Sequence, residues 1–187
     1  MSRGTLPRPT ELAHDLVDRV VRPRDVVVDA TVGNGHDTEV LARLAGPVGR
    51  VIGFDVQAEA IEATRRRLEG IEGLAEVELF CESHAGLAGR VPEGLAVVMF
   101  NLGYLPGGDH AVITGTAETL TALRAAWERL RAGGLITVVC YPGHAGGDEE
   151  AAAVEEWAEG LGAGAQVVRY GILGTKKPGP LLIAVVK

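Results

Sequence analysis

The sequence predicts an α/β fold: a doubly wound, mostly parallel sheet of seven strands that ends in an antiparallel pair. Three observations carry this expectation. Apolar runs of strand length alternate with amphipathic stretches of helical period, the order that puts helices on both faces of a parallel sheet. The first run passes directly into a glycine turn, VVVDATVGNGH over residues 26–36, which is the strand–turn–helix corner of nucleotide-type folds. The last two runs, 165–170 and 180–186, are separated by about ten residues. That is too few for a crossover helix, so the two strands pair antiparallel.

The 187 residues suit one domain over 1–187, with 1–9 as an N-terminal arm, and the 47% hydrophobic content with 26 glycines suits a compact α/β chain. A net charge of −7 removes the global basic footprint that tight, nonspecific nucleic-acid binding requires, so any RNA contact is local. Arg65, Arg66 and Arg67 on a helix, and Lys176 with Lys177 in a late loop, are the basic spots. Cys81 and Cys140 lack metal-ligand spacing, so no metal is expected. They read as free thiols in a reducing, cytoplasmic setting. No apolar signal core or membrane-length run occurs, and a soluble protein is expected.

In chain order, Thr10 caps a helix whose apolar face is Leu12, Leu16, Val17 and Val20, and Pro23 stops it. Three valines then open a buried strand over 26–30 with Asp29 near its end. A helix over 38–44 buries Val40, Leu41 and Leu44. The second strand, 50–55, ends on Asp55, 20 residues beyond Gly35. A helix over 58–68 turns Ile61 and Leu68 inward and the three arginines outward. Strands over 77–80 and 96–100 run respectively into Ser83–His84 and into the loop NLGYLPGGDH. Thr114 or Thr116 caps a helix through Arg131, which Gly133 and Gly134 end. A fifth strand over 135–140 leads into YPGH and a helix over 148–161, and the closing pair reverses the edge of the sheet.

Two ligand classes compete for the glycine corner. GNGHDT resembles the opening of a dinucleotide fingerprint, with Asp55 at the ribose distance. Thr38 nevertheless takes the third glycine position, where glycine allows close helix–strand packing. Asp29, just ahead of the turn, would repel a pyrophosphate. S-adenosylmethionine, with a positive centre and an amino-acid tail, has no such conflict. On this reading Asp29 and the backbone of Gly33 and Gly35 face its methionine part, Asp55 accepts from the ribose hydroxyls, and Ser83 with His84 recognises adenine. The fold is then the Rossmann-like one of class I methyltransferases.

The loop after the fourth strand holds the methyl acceptor. Asn101, Leu102, Gly103 and Tyr104 resemble the Asn/Asp-Pro-Pro-aromatic loop of methyltransferases that act on exocyclic amines, with Leu and Gly in place of the prolines. In that loop the Asn side chain and an adjacent carbonyl accept hydrogen bonds from the NH2, which aims its lone pair at the methyl group, while the aromatic ring stacks on a base.

DATVGNGHDT at 29–38, GFDVQ at 53–57, FNLGYLPGGD at 100–109 and YPGH at 141–144 together resemble the MnmM (YtqB) family, also labelled rRNA methylases, over almost the whole chain. The resemblance implies a methyltransferase that converts 5-aminomethyl-2-thiouridine, at the wobble position of tRNA, to 5-methylaminomethyl-2-thiouridine. Within those motifs it extends the cofactor contacts to Thr31, Asn34, Asp37, Thr38, Gln57 and Asn101. His110 and Asp148 stand where lysine is common in the family, which thins the positive charge on the expected RNA face.

The acceptor is an alkylammonium with a pKa of about 10 and attacks only after losing a proton. His144 is the first candidate base, Asp109 and His110 the next, and Asp37 a further one. Asn101, Tyr104 and His144 are therefore the expected catalytic group. Tyr104 stacks on the uracil, and Tyr141 lines the same mouth beside Leu102 and Gly103. Lys176 and Lys177 touch anticodon phosphates. A homodimer is expected by analogy with small tRNA methyltransferases. Alternatives are a small-molecule amine or rRNA methyltransferase using the same cofactor, a scaffold that keeps the fold without chemistry, and a dehydrogenase.

Overall fold

A computed structural model describes residues 6–103, 115–143, 146–174 and 178–187 of the chain. Helix α1, Pro9–Val20, starts earlier than the expected Thr10 cap. Arg8 is the cap residue instead: its backbone N–H donates to Glu11 Oε2 at 2.8 Å, and Pro9 supplies a preset helical φ at the first position. Strand β1, Val26–Asp29, leads through the glycine turn into α2, His36–Ala45. Strand β2, Arg50–Phe54, precedes α3, Ala58–Leu68, and β3, Glu76–Phe80. A 3-10 turn over His84–Gly89 connects to β4, Leu95–Asn101.

Helix α4, Thr116–Arg129, is capped by Gly115, so Thr116 is its first helical residue; Thr114 lies outside the described residues. The helix stops two residues before the expected Arg131, because Leu130 turns extended and pairs with Leu95. Strand β5 therefore spans Leu130–Cys140, and Gly133 takes a positive φ of 70° inside it. Helix α5, Gly147–Glu159, then leads to β6, Gln166–Gly171, and β7, Leu181–Val186.

The described strands form one seven-stranded sheet in the order β3-β2-β1-β4-β5-β7-β6. Strand β7 runs antiparallel to both β5 and β6. The reversed strand is thus one in from the edge rather than the expected edge strand. Burial explains the exchange: LLIAVV of β7 is almost wholly buried, whereas β6 is exposed along most of its length. On one face α1 and α2 pack through Ala13, Val17, Leu41 and Ala42; on the other α4 and α5 pack through Leu123, Ala126 and Val154.

Strand β1 has β2 on one side and β4 on the other, so the connections part there and leave a crevice at the carboxyl ends of β1 and β4. Asp29 and Asn101 end those two strands.

Candidate active site

At the end of β1, Asp29 is fully buried and accepts two hydrogen bonds, from the Thr38 hydroxyl at 2.6 Å and the Thr31 amide at 3.2 Å. Thr38 is also 0% exposed. Neither side chain meets the crevice, which corrects the expectation that both touch the ligand. Thr38 instead locks α2 onto β1, so the close packing that a dinucleotide fold obtains from its third glycine comes here from a hydrogen bond. Burial, and after it the nearby Asp37 carboxylate, push the Asp29 carboxyl up to about 7; Asp55 adds to this and the two hydrogen bonds oppose it.

The glycine turn also works differently from the expectation of bare amides facing a ligand. Gly33 N–H donates to Asp55 Oδ2 at 2.8 Å, and Gly35 N–H donates to the Val32 carbonyl at 2.8 Å. Gly35 has a φ of +77°, and a Cβ there would lie 2.6 Å from Thr64 Oγ1, so this glycine is required by the approach of α3. Asn34 gives its carbonyl to Arg67 Nε at 2.6 Å. Arg67, expected to point into solvent, is thereby half-buried and also pairs with Glu39 at 3.2 Å. These two glycine amides are thus not bare donors.

Asp55 is half-buried at the end of β2, with Gly33 N–H on one carboxylate oxygen and Gln57 N–H, at 2.9 Å, on the other. These donors fix the carboxylate and leave lone pairs on both oxygens. Ser83 caps the 3-10 turn and donates to Glu118 at 3.0 Å. His84 Nδ1 lies 3.1 Å from the Ala30 carbonyl, burial lowers the pKa of its ring, and its Nε2 has no partner among the described residues.

At the end of β4, the Asn101 backbone N–H donates to Thr31 Oγ1 at 2.7 Å, and its Nδ2 donates to Asp37 Oδ2 at 3.2 Å. A carboxylate only accepts, so the NH2 must face Asp37 and the amide oxygen points away. The other Asp37 oxygen meets His14 Nε2 at 2.6 Å. Sequence reading missed His14, which lies in a helix that carries no motif. Its imidazole pKa is raised, first by the Asp37 hydrogen bond.

Leu102 is 2% exposed and its amide bonds to the Val139 carbonyl at 2.9 Å, so its side chain belongs to the core and not to a substrate surface as expected. Gly103 takes a φ of +126°, and a Cβ there would stand 3.5 Å from the Tyr141 ring. Cys140 is buried with its thiol pushed up to about 12 by burial, which makes it inert. Tyr104, Asp109, His110, His144, Lys176 and Lys177 lie outside the described residues.

The carboxylates of Asp37 and Asp55 thus flank the buried Asp29 at the ends of β1 and β2, and their negative field adds to burial, the larger cause, in raising its pKa. Such a field attracts a cation and repels a pyrophosphate. Residues 51–186 match the family described as "Putative rRNA methylase". The chain belongs to this family. A "tRNA (mnm(5)s(2)U34)-methyltransferase, chloroplastic" from Arabidopsis thaliana is 43% identical to this family member over 164 residues, covering 82% of this chain and 60% of that protein. The chain therefore spans about 60% of the length of that curated relative. Among solved structures, a "putative rRNA-methylase" from Clostridium thermocellum is 38% identical with a TM-score of 0.94, covering 98% of this chain and 100% of that one. A "putative methyltransferase" from Streptococcus mutans, solved in complex with SAH, is 36% identical with a TM-score of 0.88, covering 98% and 99%. The methyltransferase-type sheet expected from the sequence is shared with these two family structures.

Proposed function

We propose that the chain is an S-adenosylmethionine-dependent N-methyltransferase acting on the 5-aminomethyl group of the tRNA wobble uridine, giving 5-methylaminomethyl-2-thiouridine. The observation that carries this reading is the Asn101 amide, whose nitrogen is tied to Asp37 while its oxygen is left to accept from an amine. The similarity to the Arabidopsis thaliana enzyme supports the choice of acceptor.

The residues present fit the cofactor. Asp55, fixed by two backbone donors, keeps lone pairs for a vicinal diol. Among the described residues His84 Nε2 has no partner, and the negative field suits a sulfonium. When bound, S-adenosylmethionine supplies an electrophilic methyl group with a neutral thioether as leaving group. The chain's own part is to hold the acceptor: Asn101 accepts one N–H of the amine and so restricts the direction of its lone pair. The same acidic surroundings favour docking of the ammonium form, which must shed one proton before attack. His144, Asp109 and His110 stay the loop candidates for that proton, with Asp37 beside Asn101 a further one.

The reading includes recognition of the anticodon loop through local contacts, a homodimer that enlarges the RNA surface, and a cytoplasmic setting. Methyl transfer from labelled cofactor to tRNA carrying the 5-aminomethyl group tests it, with Asn101→Ala expected to abolish transfer. The net charge of −7 favours a second reading, a small-molecule amine acceptor. Transfer to the free nucleoside at the rate seen with tRNA would establish that alternative.

A further inference from the structure

We infer that His14 is a positioning residue for the acceptor amine, acting through Asp37 to hold the Asn101 amide with its oxygen toward the crevice. The inference rests on the proposed function for its meaning in catalysis, though its geometry stands alone. His14 Nε2 lies 2.6 Å from Asp37 Oδ1, and Asp37 Oδ2 lies 3.2 Å from Asn101 Nδ2. The line joins three elements that share no local sequence: α1, the first turn of α2 and the end of β4. Each carboxylate oxygen already has one partner, so Asp37 cannot rotate without breaking a bond at one end.

An exposed ion pair would carry little weight. Here the Asp37 side chain is 11% exposed and the His14 side chain 31%, so solvent replaces neither partner freely. Among the described residues, the charges that raise the His14 pKa are acidic: Asp37 from α2, Asp15 from its own helix and Asp29 from β1. The imidazole thus stands against a carboxylate that already has Asp29 as an acidic neighbour. Remove the ring, and Asp37 has reason to turn toward water. Asn101 then loses the acceptor that tells its nitrogen from its oxygen. The Thr31 bond still holds the Asn101 backbone at 2.7 Å, so the expected defect is in the orientation of the amide and not in the course of the strand.

Two variants separate this role from plain packing. His14→Ala removes the donor, whereas His14→Gln places an amide N–H near the position of Nε2. The side-chain NH2 signals of Asn101 are followed by NMR in the full chain with S-adenosylhomocysteine added, assigned by their loss in Asn101→Ala. In His14→Ala these signals are expected to move toward the values of a solvent-exposed amide, and in His14→Gln to stay near the wild type. With tRNA, kcat of His14→Ala is expected to fall at least about tenfold, while the dissociation constant for S-adenosylhomocysteine stays within about twofold. His14→Gln is expected to recover most of the rate. Unmoved Asn101 signals in His14→Ala, or a loss of rate that His14→Gln shares in full, would overturn the inference. If His14→Ala does not fold, Asp37→Asn serves in its place: it sets an amide against an amide, and unmoved Asn101 signals there also overturn the inference. Should the wild type transfer no methyl group to tRNA, the proposed function falls, and the Asn101 signals alone decide the positioning.

Discussion

The Thr38 hydroxyl donates to Asp29 Oδ2 at 2.6 Å, and neither side chain meets solvent. Thr38→Val keeps the shape and deletes the donor, leaving a buried acid one hydrogen bond short at a cost of about 1–3 kcal/mol. This bond holds the Asp29 pKa down against burial. Without it the acid resists ionisation further, so the loss of stability is larger at pH 8 than at pH 5.5. Urea unfolding at both values checks this; an equal loss at the two contradicts it.

The same pair sets how the wild type responds to pH. Asp29 has a folded pKa of about 7 against an ordinary 3.8, so the folded state binds its proton more tightly than the unfolded chain does. Stability present below pH 3.8 is thus lost as pH rises through about 7. His14 is raised above 6.5 and acts with the same sign, its contribution fading as pH climbs through its folded value. Tm is expected to fall between pH 5 and pH 8, and Asp29→Asn to flatten that slope. A slope unchanged by Asp29→Asn contradicts the assignment.

Gly35→Ala meets two separate obstacles, the φ of +77° and Thr64 Oγ1 at 2.6 Å from the new Cβ. The backbone part alone costs about 1–3 kcal/mol. Adding Thr64→Ala relieves the collision and leaves the dihedral cost, so the double variant is more stable than the sum of the single losses predicts. Simple additivity in denaturant unfolding would show that Thr64 does not press on the turn.

Asp55→Asn exchanges one of two acceptor oxygens for a donor, in front of the Gly33 or the Gln57 amide. Affinity for S-adenosylhomocysteine, read by calorimetry, is expected to drop by about ten- to a hundredfold, the range of one or two charge-assisted hydrogen bonds. NAD is expected to give no binding heat with either protein. Binding of NAD by the wild type contradicts the assignment of the crevice.

Much of this was legible in the chain itself. Apolar runs broken by turn residues gave seven strands, and NLGY marked the end of β4, where Asn101 stands. Element ends were less readable. Helical periodicity continues past Arg129, but Leu130 is taken into β5 by pairing with Leu95, and only the folded sheet supplies that partner. The place of β7 inside the sheet likewise follows from what covers it, which no local pattern states. His14 was invisible for the same reason: it meets Asp37 across 23 residues of chain through the packing of α1, and a single histidine on a helix face carries no signature. Gly33 and Gly35 were rightly marked as special, yet their amides serve Asp55 and Val32, a use that depends on where β2 ends.

The most direct test uses tRNA bearing 5-aminomethyl-2-thiouridine at the wobble position, methyl-labelled S-adenosylmethionine, and mass spectrometry of the digested nucleosides. Wild-type protein is expected to yield 5-methylaminomethyl-2-thiouridine, and Asn101→Ala none, although that variant keeps most of its affinity for S-adenosylhomocysteine. No methylated nucleoside from the wild type, or undiminished turnover by Asn101→Ala, would contradict the assignment of an amine acceptor to the end of β4.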